Sequence, residues 1–308
     1  MIKIKLGGKK GVDYNAYVES YFSDFSMDGF PIFVGGKGEF RGPELLLLDK
    51  IESNPKNTKA MILDGKEFFY YFTGHTVSGQ MNKVTLATLG KSYKKGGEFK
   101  LDKKGLIAKT NDVVEISGLK ISNAENVRGD LHNTVYGLMG GSHAGSGGSD
   151  PTLLFSFINA QGHKVKGTKK NDKYKGTDHA DNVNLGKGND VLDGALGNDV
   201  LKGGKGKDTF VFSTTLGPKN VDKIKDFTPK DDVIHLSSAV FGGLSAGKLA
   251  AGAFSKGASA SDADDRIIYN DKTGALYFDA DGNGSGAQVQ FATVSKNLDI
   301  SAGHFLVI

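Results

Sequence analysis

Apolar residues along this chain follow three different periods in succession. In residues 13–25, "DYNAYVESYFSDF", Tyr14, Tyr17, Val18, Tyr21 and Phe22 fall on one helical face, with Asp13 placed as N-cap. Residues 26–44 are Gly-rich and carry Phe30, Phe33 and Phe40, which predicts a loop with aromatic anchors. "ELLLLDKI", "KAMILDG", "KEFFYYF", "KVTLATLG" and "DVVEISGLKI" then read as strands parted by short turns, hence an antiparallel sheet. Leu131, Val135 and Leu138 return to helical spacing and stop at a Gly pair. "SHAGSGGSD" reads as a flexible loop, and Asp150-Pro151 as the opening of a second helix, "DPTLLFSFINA". The expectation is an α+β domain over residues 1–165.

From Lys166 to Val211 the period becomes nine. Asp172, Asp181, Asp190, Asp199 and Asp208 recur without a slip, and two residues after each stands Tyr174, Val183, Leu192, Leu201 or Phe210. A turn precedes each Asp, best formed in "GGKGKD" and eroded in "GTKKND" and "GTDHAD". This is the pattern of a parallel β-roll in which two nonapeptides make one turn. Glycine permits the turn conformations and turns carbonyls toward a common centre. The Asp adds a charged oxygen, and hard oxygen ligands suit Ca²⁺. The metal-site expectation is therefore the five aspartates with Gly186, Gly188, Gly194, Gly197, Gly203 and Gly206. The natural pairs are Asp172/Asp190, Asp181/Asp199 and Asp190/Asp208.

Charge sharpens this division. All eight Glu lie at or before Glu125, while residues from Lys166 onward use Asp alone, eighteen times. Short carboxylates are there for turns and ions, since a surface chosen for solubility would include Glu. With no Cys, there is no disulfide framework, thiol catalyst or Cys-ligated metal. Lys and Arg form no cluster interleaved with aromatics, so a nucleic-acid partner is not expected. No apolar run is long enough to span a membrane, and "MIKIKLGGKKG" lacks the apolar core of a Sec signal. The seven His form no HExxH, and "AGSGG" (Ala144 to Gly148) only partly matches a nucleophile elbow, so an enzyme is not expected.

The nonapeptide tract resembles the RTX (hemolysin-type calcium-binding) repeats of secreted bacterial proteins. "NVDKIKDFTPKDDVIHLSS" and "DDRIIYNDKTGALYFDADGNGSGAQVQFATV" resemble the capping and C-terminal portion of RTX proteins. The resemblance implies a roll over residues 166–211, then capping strands over 212–308 that double as a signal for the type I secretion machinery, with "HFLVI" as its apolar end. It also implies a secreted, extracellular or cell-surface protein of a Gram-negative bacterium.

Two segments of the first domain resemble the bacterial hemophore family. "LHNTVYGLMGG" (Leu131 to Gly141) is close to the helix motif His-x-Val-Val-Tyr-Gly-Leu-Met-Ser-Gly, and "GHTVSGQMNKVTLATLG" (Gly74 to Gly90) to the strand His-Thr-Leu-x-Gly. The resemblance implies a curved antiparallel sheet with helices on one face, and haem held between two loops. One loop supplies a Tyr with a neighbouring His, and His75 matches that His. The Tyr position eight residues earlier is Glu67, so a gap of three or four residues makes it Tyr70 or Tyr71. Strand alternation puts these on opposite faces, and Tyr70, on the side of Phe68 and Phe72, is favoured. The second loop places Met27 where many members have a His, with packing its expected role, and His132 is expected to be structural. The implied function is capture of extracellular haem and its passage to an outer-membrane receptor, with a host haem protein as a further possible partner. The alternative is a calcium-dependent adhesion or interaction protein that binds a protein partner and no haem.

Overall fold

The computed structural model describes residues 1–94, 97–141 and 148–308. Except for Gly148, the expected elbow stretch 144–148 lies outside the described residues, as does most of the expected loop before Asp150. Two compact units divide the chain: Met1–Gly8 with Asn15–Ala160, and Lys9–Tyr14 with Gln161–Ile308.

The first unit contains β1 (Ile2–Leu6), α1 (Tyr14–Ser23), β2 (Ile32–Val34), β3 (Arg41–Leu48), β4 (Lys59–Tyr71), β5 (Thr76–Thr88), β6 (Asn111–Asn123), α2 (Asp130–Leu138) and α3 (Thr152–Asn159). The strands pair antiparallel in the order β1-β6-β5-β4-β3-β2. Strict alternation in "IKIKL" buries Ile2, Ile4 and Leu6 and leaves the lysines exposed. The run of four leucines in β3 has a different cause. Leu46 joins a cluster with Val34, Ala60, Ile62 and Leu89, over which Tyr93, Phe99 and Ile107 pack. Leu45 and Leu47, pointing to the other face, are buried as well. Both faces of the strand are covered, so both parities are apolar.

Two strands expected from the pattern, "KAMILDG" and "KEFFYYF", are one. β4 runs through them with register shifts at Asp64/Gly65 and between Lys66 and Phe69, and Glu67 sits at φ 47°. Such bulges absorb extra residues without ending a strand. α2 packs on β5 and β6 through buried Leu131, Val135 and Leu138. α3 starts one residue later than the expected Asp150 cap: Pro151 holds the cap position, while Thr152 N donates to Asp150 Oδ1 at 2.9 Å. On α1, Phe22 meets Phe155 of α3 edge-to-face at 5.6 Å and Tyr21 stacks on Phe25 at 5.6 Å.

One buried charge in this unit yields a pH prediction. Glu44 of β3 is 3% exposed and accepts from Ile107 N at 2.7 Å. Burial pushes its carboxyl up to about 7, with Asp64 and Asp102 adding to the effect. A carboxyl whose folded pKa exceeds its unfolded value of 4.5 keeps a proton the unfolded chain has lost, so stability falls as pH rises from 4.5 to about 7. Glu44→Gln keeps the acceptor and removes the charge. In thermal melts at fixed calcium, the variant should equal the wild type near pH 4.5 and exceed it at pH 8, by roughly 2–4 °C for each kcal/mol of relieved penalty. A wild-type advantage at pH 8 would refute this.

The second unit carries β7 (His163–Lys166), β8 (Lys173–Lys175), β9 (Asn182–Lys187), β10 (Val191–Asp193), β11 (Val200–Lys205), β12 (Thr209–Phe212), β13 (Asp222–Ile224), β14 (Val233–Leu236), β15 (Gly247–Lys248), β16 (Phe254–Lys256), β17 (Ile267–Asn270), β18 (Ala275–Phe278), β19 (Val289–Thr293) and β20 (Phe305–Val307). Odd repeats pair in one parallel ladder, β8-β10-β12-β14-β20, and even ones in another, β7-β9-β11-β13-β19. Leu192 thus lies between Tyr174 and Phe210, and Leu201 beside Val183, each an eighteen-residue step. All five inward residues are at most 1% exposed, which is how a chain this rich in Gly and Lys buries a core. This is a β-roll. After it, β17 and β18 close an antiparallel hairpin on the Asp271–Gly274 turn and β19 follows. The apolar end also belongs to the ladder: Phe305 and Val307 of β20 are buried beside β14.

Candidate functional site

The first candidate site lies in the first unit, where β4 turns into β5. Tyr70 is the penultimate residue of β4, its N–H held by Phe40 O at 3.1 Å. His75 follows the turn at φ 49°, a left-handed conformation that swings its ring back over the strand end. The Tyr70 hydroxyl and His75 Nδ1 are 2.8 Å apart. Phe72 meets Tyr70 edge-on at 5.1 Å and Phe40 at 4.7 Å. These side chains, with Phe30 and Phe33 from the Gly-rich loop, line a cavity of about 480 Å³. Its remaining wall comes from α2 and its flanks: Arg128, His132, Tyr136 and Met139. His132 stacks on Tyr136 at 5.7 Å and accepts from Val77 N through Nδ1 at 3.3 Å. Burial holds its ring below the usual imidazole range, and Arg128 adds to this, so it stands as a neutral acceptor joining helix to sheet.

The structure brings Tyr70 and His75 together and leaves Tyr71 out. Tyr71 faces away, against Phe69 at a ring distance of 4.3 Å, and a hydrogen bond to Glu125 raises its phenol pKa. Phe72 joins the wall, whereas Phe68 sinks into the core at 0% exposure and is not part of the lining. Phe68 and Phe69 pair in step with Gly42 and Arg41, so Phe68 keeps the parity of Tyr70 and differs from it in depth along the strand. Met27 is buried in a bridge opposite Asp49, away from the cavity lining. The methionine lining the cavity is Met139. Sequence reasoning named Phe30, Phe33 and Phe40 only as loop anchors and assigned no site role to Arg128 or Tyr136, which carry no local pattern of their own.

The cavity falls in the range of roughly 300–1,000 Å³ for bound small molecules. Its donor set suits haem: a phenol oxygen that becomes a hard anionic ligand for Fe(III), a His ready to accept its proton, flat aromatic walls, and a cation in Arg128 for a carboxylate.

The second candidate site is the stack of turns in the roll. Asp172, Asp181, Asp190, Asp199 and Asp208 are at most 2% exposed. Each expected pair meets through the backbone: Asp172 N donates to Asp190 Oδ1 at 2.7 Å, Asp181 N to Asp199 Oδ1 at 2.7 Å, and Asp190 N to Asp208 Oδ1 at 3.0 Å. The other oxygens of Asp190 and Asp199 are buried with no hydrogen-bond partner. Burial pushes Asp190 up to about 7, Asp199 to about 8 and Asp208 to about 6, with neighbouring carboxylates adding to it. Orphaned, mutually repelling oxygens in turns rich in carbonyls fit a hard cation such as Ca²⁺. Among the described residues no three His, Cys, Asp or Glu side chains converge, so a cation here would take its other ligands from carbonyls and water.

The six glycines do different work. Gly186, Gly188, Gly197 and Gly206 adopt positive φ between 100° and 140°. Gly194 and Gly203 do not; a Cβ on them would overlap the carboxylates of Asp199 and Asp208. Four are thus required by conformation and two by close approach.

The ladder also runs past the repeats. Asp222 and Asp232 take the next positions, accepting from Asp199 N at 3.1 Å and Asp208 N at 2.9 Å. Their signal was an Asp with an apolar residue two further on, Ile224 and Ile234, hidden because residues 213–221 break the nine-residue period.

An antiparallel-sheet unit with an aromatic cavity, joined to a roll of stacked carboxylates, defines a small-molecule-binding protein with a cation-binding repeat unit. The chain belongs to the heme-binding protein A (HasA) family, whose model matches residues 12–170. Residues 175–210 match the RTX calcium-binding nonapeptide repeat in four copies. Among solved structures, the holo hemophore HasA of Yersinia pestis is 20% identical, over 52% of this chain and 89% of that chain, with a TM-score of 0.37. A mutant HasA monomer from Yersinia pseudotuberculosis is 17% identical over 52% and 89%, with a TM-score of 0.38. A subunit of the Azotobacter vinelandii mannuronan C5-epimerase is 29% identical over 47% and 78%, with a TM-score of 0.32. No curated protein matches the chain. Among the described residues no helix is long and apolar enough to cross a membrane.

Proposed function

We propose that this protein captures haem outside the cell, with Tyr70 as the iron ligand, and passes it to a receptor. The observation that carries the reading is the Tyr70–His75 contact of 2.8 Å inside an aromatic cavity. Bound haem supplies a Lewis-acidic Fe(III) that prefers an anionic oxygen. His75 Nδ1 accepts the phenol proton and so holds Tyr70 in the form that binds, while its left-handed backbone fixes the ring in place. Phe33, Phe40 and Phe72 give the cavity apolar walls, against which a bound porphyrin would shield that oxygen from water. Phe30 and Phe72 are 68% and 57% exposed, apolar surface at the cavity mouth that suits a receptor contact.

In this reading residues 1–165 are the haem domain, an antiparallel sheet curved over helices on one face. Residues 166–211 are the calcium roll, ligated by the five repeat aspartates and the glycine carbonyls. Residues 212–308 cap the roll and carry the type I export signal. Calcium links folding to export: extracellular modules bind at roughly 10⁻⁴–10⁻³ M, so the roll stays unfolded in the cytosol and folds outside. The protein acts as a binder, with no reaction of its own.

The test is an absorption titration of the calcium-loaded protein with hemin. A Soret shift with weak tyrosinate-to-iron charge-transfer bands, saturating at one hemin per chain, is expected. A spectrum equal to that of free hemin would refute haem capture and leave the interaction-protein alternative.

A further inference from the structure

We infer that a calcium ion is shared by Asp199 and Asp222, outside the nonapeptide repeats, and fastens the C-terminal strands to the roll. The inference rests on the calcium reading above and extends it to a residue beyond the last repeat.

Every repeat Asp accepts, through Oδ1, the N–H of the residue stacked before it, eighteen residues earlier for all but Asp172. At the N-terminal end those residues are Val12, which donates to Asp172 at 2.8 Å, and His163, which donates to Asp181 at 2.5 Å. Neither adds an acidic oxygen, so the carboxylate series stops there. At the other end the register position above Asp199 holds a carboxylate, Asp222, 4% exposed. Its surroundings repeat those of the true repeats: Ile224, two residues on, is buried and pairs with Leu201 as Leu201 pairs with Val183.

A second observation points to an ion. Asp199 is 1% exposed, and no N–H or hydroxyl donates to its Oδ2, whose polar neighbour is the Asp222 carboxyl. That oxygen and Asp222 Oδ2 face the same bare glycine: a Cβ on Gly194 would overlap the first and stand 3.0 Å from the second. Two buried carboxylate oxygens turned to one place repel, and a divalent cation between them reverses the sign of that interaction. Calcium fits because oxygen ligands at flexible geometry are what the turn offers. The series ends after this pair, because the residue beside Asp222 on the next strand is Ala292. Since β13 also pairs with β19, the ion ties the hairpin strands β17–β19 to the repeats.

The test measures bound calcium per chain in the full-length protein, by equilibrium dialysis at saturating calcium and metal analysis. Asp222→Asn should bind one ion fewer than the wild type and need a several-fold higher calcium concentration to fold. An unchanged ion count in a folded variant, as a shared proton between the two carboxyls would give, overturns the inference and leaves the repeat sites standing. A wild-type chain that binds no calcium overturns both. Should Asp222→Asn fail to fold, hydrogen–deuterium exchange on the wild type decides. Peptides spanning 219–225 should gain protection at the same calcium concentration as those spanning 190–205, and protection without calcium is the contrary result.

Discussion

Chelating calcium from the full-length protein should unfold the second unit from Gln161 onward and leave the first largely intact. The reason lies in where the carboxylates sit. Asp172, Asp181, Asp190, Asp199 and Asp208 are buried, stacked at one-turn intervals, and partly without hydrogen-bond partners. Without a cation, each added turn brings another like charge into a poorly solvated stack, and burial of an unpaired charge costs several kcal/mol. Against that stands one inward apolar side chain per nonapeptide, worth roughly 1.5–3 kcal/mol when fully buried. The charge term wins, so binding free energy becomes folding free energy. Far-UV circular dichroism should lose β signal in chelator and regain it with millimolar calcium, while amides of β4–β6 keep their exchange protection. An unchanged spectrum would show that the roll stands without the ion.

Tyr70→Ala should lower hemin affinity on the order of 100-fold or more, because it removes the phenol oxygen that pairs with His75 in the cavity lining. Tyr71→Ala should change little, since Tyr71 faces Glu125 and Phe69 on the other side of the strand. His75→Ala removes the proton acceptor and the ring that orients the phenol, a loss of roughly 10–100-fold typical of a partner that tunes a metal ligand. Met27→Ala should have no effect on the spectrum, because Met27 packs against the strand bridge at Asp49. Hemin titrations followed in the Soret region distinguish these variants. Equal losses for Tyr70→Ala and Tyr71→Ala, or none for Tyr70→Ala, would show the ligand to be elsewhere.

The residues where pattern and structure part company share a cause. Phe68 has the parity of Tyr70 but lies in the core, because it sits two residues further from the turn, and a period of two gives the face without the depth. "IKIKL" alternates as a strand should, yet it is short and followed by a Lys/Gly run, so its place beside β6 shows only in the paired sheet. Asp222 and Asp232 have the local chemistry of repeat aspartates, but residues 213–221 displace them from the nine-residue count. Gly194 and Gly203 look like turn glycines and prove to be spacers for a carboxylate.

The roll could be read from the chain because its information is local and repeated. Nine residues hold the turn, the charged oxygen and the inward side chain, and stacking copies them at a distance set by strand spacing. The strand-rich character of the first unit and the Tyr70–His75 proximity were legible for the same reason, that their signals are local, the two residues lying five apart across one turn. The cavity was not. Its walls come from residues 29–40, 70–75 and 128–139, segments with separate local patterns that meet only because β4, β5 and α2 pack together. The choice between Tyr70 and Tyr71 likewise belongs to the folded chain. Strand parity says that they differ, but only the side on which α2 and the Gly-rich loop settle decides which of them meets the ligand.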